Sequence, residues 1–202
     1  MADADAGRWN HNLHHHGLLL AAVPEGCEHA LDVGCGEGVL ARRLAARVPH
    51  VTAIDRDAPT LALARAQDGS SGVRYVLGDV MAYDFGAAAS FDYVVAVAVL
   101  HHLDPATGLA RLASLVAPGG RLAVLGLTRP RWPHDLPRWV AGGIAHRALR
   151  ARRGWWESAA PIAPPTRTFP ELRALARRTL PGPVALRRHV LWRYSLVWDR
   201  PR

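Results

Sequence analysis

The chain has 202 residues, half of them hydrophobic, with a formal net charge of +8 and two cysteines. That length suits one α/β domain with ample chain for a core, and the composition excludes a disordered protein. Two cysteines exclude a disulfide framework and carry no metal-site spacing. No run is apolar enough to span a bilayer and the acidic start does not resemble a signal peptide, so a cytoplasmic location is expected.

Residues 1–7 are expected to be a frayed tail. His11, His14 and His15 follow at i, i+3, i+4 spacing, so on a helix they share a face, and neutral imidazole is a common metal ligand. Pro24 and Gly26 end this element. Leu31 and Val33 then flank Asp32 in a short apolar strand, and Gly34, Gly36 and Gly38 follow at alternate positions. Leu40, Leu44 and Val48 recur every fourth residue, which is a helical period. The order is strand, glycine turn, helix, the geometry of a nucleotide-type site at the end of a parallel strand.

A second strand is predicted over 51–54, ending at Asp55, Arg56 and Asp57. Asp57 with Pro59 suits the start of a helix running to Gln67. A third strand over 73–77 ends in Gly78-Asp79-Val80. The run 91–98 is nearly continuous in apolar residues, as in a central parallel strand. It contains Val97 and is followed by Leu100-His101-His102-Leu103. Asp104 and Pro105 cap a helix with Leu109, Leu112, Leu115 and Val116 on its buried side; Pro118-Gly119-Gly120 stops it, and a fifth strand is predicted over 121–127.

The alternation breaks over 128–167, a segment holding four of the seven tryptophans, which we read as a mobile, partly helical substrate lid. A membrane-surface helix here lacks support from Trp139, Val140, Ile144 and Leu149, because Leu149 falls on the other side. Thr168 to Glu171 is a capping box opening a helix to Leu180. Two tightly joined strands, 184–190 and 192–198, close the chain.

The glycine turn has competitors. A dinucleotide fingerprint needs its third glycine where Val39 stands, and a P-loop needs a lysine that this chain lacks. The remaining pattern, Asp-x-Gly-x-Gly-x-Gly from Asp32 to Gly38, resembles motif I of the class I S-adenosylmethionine (SAM)-dependent methyltransferases. Gly78-Asp79-Val80, the Leu-His-His-Leu run and Leu-Val-Ala-Pro-Gly-Gly-Arg-Leu from Leu115 follow in that family's order, so the resemblance covers about residues 30–127. It implies a Rossmann-like α/β sheet, parallel with a closing antiparallel strand pair and helices on both faces.

The resemblance also implies a division of the single domain 1–202. It consists of an N-terminal lid helix (8–23), a SAM-binding core (30–127), a variable substrate lid (128–167), and a closing helix and strand pair (168–202). It further implies S-adenosylmethionine as cofactor, with Gly34, Cys35, Gly36 and Gly38 lining it, and Val97 beside it. Asp55 then meets the ribose, Arg56 lies on the adenine, and Asp79 and Val80 take the adenine edge and ring. Trp9 and His14 of the lid close over the cofactor, a role we prefer to metal binding for the histidines. Asp32 and Glu37 meet the cofactor's ammonium or hold the loop through backbone amides.

Methyl transfer from a sulfonium is an in-line displacement in which alignment supplies much of the catalysis. An alcohol or phenol acceptor also needs a base, and His101 and His102 are the candidates that topology places at the site. The alternative is that His101 packs on the cofactor and His102 fills the core. The expected function is methylation of a small molecule, oxygen favoured, with the oligomeric state left open. An RNA methyltransferase, a peripheral lipid or quinone enzyme and a non-catalytic SAM-binding module are the alternatives. Residues 1–100 carry 7 Arg against 12 acids and residues 101–202 carry 18 Arg against 5. Every basic residue is arginine, so this basic half is read as compositional bias and nucleic acid is not the favoured partner.

Overall fold

A computed structural model describes residues 7–69, 72–86 and 91–202. A 3-10 turn (Leu13–His15) leads into α1 (His16–Ala21), followed by β1 (His29–Val33), α2 (Val39–Ala45), β2 (His50–Asp55) and α3 (Ala58–Gln67). Then come β3 (Arg74–Leu77), β4 (Phe91–Val97), α4 (Pro105–Ser114), β5 (Val116–Leu127) and α5 (Leu136–Arg153). The last elements are α6 (Phe169–Thr179), β6 (Val184–Arg188) and β7 (Arg193–Asp199).

The seven strands lie in the order β3-β2-β1-β4-β5-β7-β6. Pairings from β3 through β5 are parallel, whereas β7 runs antiparallel between β5 and β6. This is the expected sheet, and its order reverses between β1 and β4, the place where an open α/β sheet leaves a crevice. Side chains alternate across it. Leu31, Val94, Ala96, Leu122 and Val124 pack with Leu109 and Leu112 of α4 and Leu172 of α6. Ala30, Tyr93, Val95, Ala123 and Leu125 pack with Leu19 of α1 and Leu40 and Leu44 of α2. Tyr93 is fully buried, and its hydroxyl donates to Leu19 O at 2.8 Å, fixing α1 to the sheet.

Local chemistry places the helix starts. Asp57 accepts from Thr60 N at 3.0 Å and Asp104 from Thr107 N at 3.0 Å, each with proline in the first turn. Thr168 and Glu171 form the reciprocal capping box that opens α6.

Two boundaries differ from the sequence reading. The lid helix over 8–23 is shorter, because Asn10 Oδ1 accepts from the backbone of Asn12 and Leu13 and caps the chain there. Residues 8–12 therefore run as a turn and not as helix. The fifth strand starts at Val116, so Pro118-Gly119-Gly120 lies within it at the register shift between Phe91 and Tyr93. Glycine suits that crowding, since a Cβ on Gly120 would come within 2.8 Å of Asp92 O.

Candidate active site

The crevice between β1 and β4 opens into a cavity of about 330 Å³. Its floor is the glycine turn. Gly34, Gly36 and Gly38 have φ of 64°, 54° and 73°, the left-handed region that glycine tolerates. A Cβ on Gly34 would overlap Val99 Cγ2, and one on Gly38 would meet the Tyr75 hydroxyl at 2.6 Å. The amides of Gly34 and Cys35 both donate to Ile54 O, and Gly36 N donates to Asp55 Oδ2 at 2.8 Å. These amides are therefore committed to the fold, and glycine serves here to keep the wall bare for a ligand.

Asp55 ends β2 and anchors that wall, its other oxygen accepting from Asp57 N at 2.9 Å. Each oxygen keeps a lone pair for a ligand hydroxyl. Asp79 stands beyond β3, with Oδ1 accepting from Met81 N, and Val80 is buried beside it. Arg56 is exposed at the rim. Asp32 lies deepest, 1% exposed, and its Oδ2 has no hydrogen-bond partner. Burial, and secondarily the charge of Asp55, raise its pKa from 3.8 to about 8. The carboxyl also accepts a backbone hydrogen bond from Ala41, and its unpartnered oxygen can receive a cation once the group ionises.

Opposite, the chain leaves β4 through Ala98, whose φ of 57° is unusual for a residue with a Cβ. This bend lays Val99 against Gly34 and presents His101 and His102 on the next turn. Their rings are 4.5 Å apart, and Val97 lies at the same end of the cavity wall. Burial, then His102 and Arg193, lower the pKa of His101 to about 4, and burial also lowers that of His102. Burial likewise raises the pKa of the Cys35 thiol, which keeps it protonated and unreactive.

The cover falls within the segment 128–167 that reads as a lid in the sequence, in a part with neither helix nor strand. Residues 155–163 cross the cavity as a strap, fixed by Trp156 N donating to Trp9 O and Ala159 N donating to Glu37 Oε1. Glu37 lines the cavity and holds the strap through this backbone amide, with Arg8 at 3.8 Å from its other oxygen. Trp9 and His14 are not among the residues lining the cavity; Asn10, Leu13 and His16 hold that place. Trp9 packs instead among His11, His14, His146 and Trp155. His11 turns to His146 at 2.8 Å and His15 to Val190 O at 3.1 Å, so the expected common face does not form. Among the described residues no cluster could hold a metal ion.

Arg193 was missed, since nothing in its local sequence marks it. It starts β7, faces the cavity, and donates to Asn12 Oδ1 and Leu191 O. Burial alone lowers its pKa, to about 10, and no ion pair with a carboxylate forms among the described residues.

The cover has a pH limit. Burial lowers the pKa of His11 and His15 to about 4 and that of His16 to about 3, against about 6.5 when unfolded. The unfolded chain therefore binds protons first as pH falls, and stability is lost from pH 6.5 downward. In Asp32→Asn, thermal melts should drop by on the order of 10 °C between pH 7 and 4.5. Asp32, whose pKa is raised to about 8, titrates in the opposite sense over the same window, so a flat profile in Asp32→Asn, where only the histidines remain, would contradict burial of these rings.

The sheet order, the glycine turn and the acids ending β2 and β3 define a class I methyltransferase fold with a nucleoside-type site. Comparison with known proteins agrees. Residues 31–124 match the family model described as methyltransferase domain. The chain is 44% identical over 198 residues to an uncharacterized methyltransferase of Mycobacterium tuberculosis, covering 96% of this chain and 98% of that one. It is 39% identical over 98 residues to a ubiquinone biosynthesis O-methyltransferase of Aromatoleum aromaticum, covering 47% and 42%. The crystal structure of the N-methyltransferase NodS from Bradyrhizobium japonicum, in complex with S-adenosylhomocysteine, superposes with a TM-score of 0.64 at 16% identity, covering 94% and 87%. The chain belongs to the class I SAM-dependent methyltransferases, and S-adenosylmethionine is its cofactor.

The site fits that group: a bare glycine wall, two acids at strand ends and a buried carboxyl with one unpartnered oxygen suit a molecule bearing ribose, adenine and an ammonium. When bound, the cofactor supplies an electrophilic methyl group on sulfur.

Proposed function

We propose that this enzyme methylates an acidic hydroxyl, of phenol type, on a small molecule. The observation that carries the reading is Arg193, a desolvated cation with no counter-ion among the described residues, on the same cavity as the neutral imidazole of His101. A fixed positive charge stabilises an oxyanion and gives a neutral amine no comparable stabilisation. His101, with its pKa near 4, is uncharged at neutral pH and open to a proton. Its low basicity suits an acceptor that is itself acidic, stabilised as phenolate by Arg193. The local likeness to an O-methyltransferase supports the same direction.

In this reading Asp55 takes the ribose, Asp79 and Val80 the adenine, Arg56 its outer face, and Asp32 the ammonium. Gly34, Cys35, Gly36, Gly38 and Val97 give surface without obstruction. His102, nearer solvent, orients His101 or passes its proton outward. No helix among the described residues is long and apolar enough to cross a membrane, and two free cysteines suit the cytoplasm.

S-adenosylhomocysteine release should be followed with matched phenols and anilines as acceptors. Phenols should be turned over, and His101→Gln should lower kcat by about 100-fold or more with the cofactor Kd unchanged. Equal turnover of anilines, or an unaltered kcat in His101→Gln, would count against the proposal.

A further inference from the structure

We propose that the outward face of α5 docks the enzyme on an anionic lipid surface. A helix on a globular protein normally turns its apolar stripe inward, and α5 does the reverse. Gly142 is its only buried residue. A Cβ there would come within 2.7 Å of Trp192, so this side is where α5 meets the protein. Trp192 Nε1 also donates to Trp139 O at 3.3 Å. His146 and Leu149 fall on the same inner side, partly covered.

Leu136, Val140 and Ile144, at i, i+4 and i+8, form the opposite stripe and are 48%, 50% and 64% exposed. Ala148 and Ala151 continue it, and Trp132 and Trp139 are exposed beside its start. The sequence reading went astray by including Leu149, which belongs to the inner side.

Charge selects the occupant. Arg138, Arg147, Arg150, Arg152 and Arg153 are all exposed along α5, and no acidic residue occurs between 136 and 156. Asp135, just before the helix, is taken by Arg188 at 2.7 Å. Exposed leucine, valine, isoleucine and tryptophan flanked by arginine fit the headgroup–acyl boundary of an anionic bilayer. A second copy would set the same five arginines against themselves, and a nucleic acid would leave the apolar stripe unused.

The surface also adjoins the cavity. His146 of α5 packs on Trp155, with ring centroids 5.5 Å apart, and Trp155 lines the site. Docking thus brings the rim of the cavity to the lipid, whichever atom is methylated.

The test is co-sedimentation of the full chain with phosphatidylcholine vesicles, with and without about one third phosphatidylglycerol. Affinity should be at least tenfold higher with phosphatidylglycerol and should fall as salt rises. Val140→Glu with Ile144→Glu should abolish binding, and Arg147→Glu with Arg150→Glu should weaken it at least tenfold, while S-adenosylhomocysteine affinity stays at the wild-type value. Failure of the wild type to bind, or equal binding by Val140→Glu/Ile144→Glu, would overturn the proposal. So would a stable dimer dissociated by those substitutions, or RNA binding lost with the arginines but not with the apolar pair. Because S-adenosylhomocysteine binding is measured separately, failure here leaves the catalytic reading standing.

Discussion

Asp32→Asn should stabilise the free protein and remove most of its affinity for S-adenosylhomocysteine. Asp32 is buried and its pKa of about 8 lies well above 3.8, the ordinary value. The folded state therefore binds a proton that the unfolded chain releases near pH 4, and stability falls as pH rises from about 4 to about 8. At about 1.4 kcal/mol per pH unit the full cost approaches about 6 kcal/mol. An asparagine amide has its own unmet hydrogen bonds at about 1–3 kcal/mol. A net gain of about 3 kcal/mol at pH 8, shrinking to little at pH 5, is expected by denaturant titration.

Binding should move the other way. A ligand ammonium needs the ionised carboxylate, so the wild type must release a proton to bind below pH 8. S-adenosylhomocysteine affinity should then rise with pH up to about 8, with proton release visible as a buffer-dependent calorimetric enthalpy. In Asp32→Asn the affinity should fall by about a hundredfold or more and lose that pH dependence, as when one partner of a buried charge pair is removed. Unchanged binding in a folded variant would exclude Asp32 as the ammonium's partner.

Asp55→Ala is the second large effect. Asp55 holds Gly36 N and Asp57 N and has lone pairs left for a ribose. Its removal should cost about 1–3 kcal/mol of stability from two stranded amides. It should cost about 2–4 kcal/mol of cofactor binding, a factor of about 30 to 1,000. There is also a coupled signature. The Asp55 charge helps to raise the Asp32 pKa, so the pH midpoint of residual binding should move down in Asp55→Ala. Asp55→Asn, which keeps an acceptor for Gly36, should recover stability without recovering affinity. Calorimetry that finds wild-type affinity in both variants would remove Asp55 from the site.

What the sequence disclosed follows from the range of the interactions involved. Asp57, Asp104 and Thr168 act within four residues, so their helix starts were legible. The glycine turn and the strand-end acids Asp55 and Asp79 were legible because parallel topology brings strand ends together wherever the helices lie. The contact of Glu37 with the Ala159 amide was not legible, because the two lie 122 residues apart. Arg193 was invisible for the same reason, its role arising only when β7 enters beside β5. Trp9 was expected over the cofactor, but Asn10 turns the backbone first, and the indole joins the aromatic cluster instead. In α5 the stripe was blurred by one residue, and only the contact of Gly142 with Trp192 shows which side faces out.

The insertion of β7 between β5 and β6 joins construction of the fold to construction of the site. Until residues 193–199 arrive, β5 has an open edge along seven register positions and β6 has no neighbour. The same strand carries Arg193 to the cavity and, through Asn12, ties down the N-terminal segment. A nascent or clipped chain ending before it would lack a closed sheet, a fastened cover and the charge proposed to hold the acceptor. Such a chain would reach cellular proteases as an open structure before it could consume cofactor unproductively.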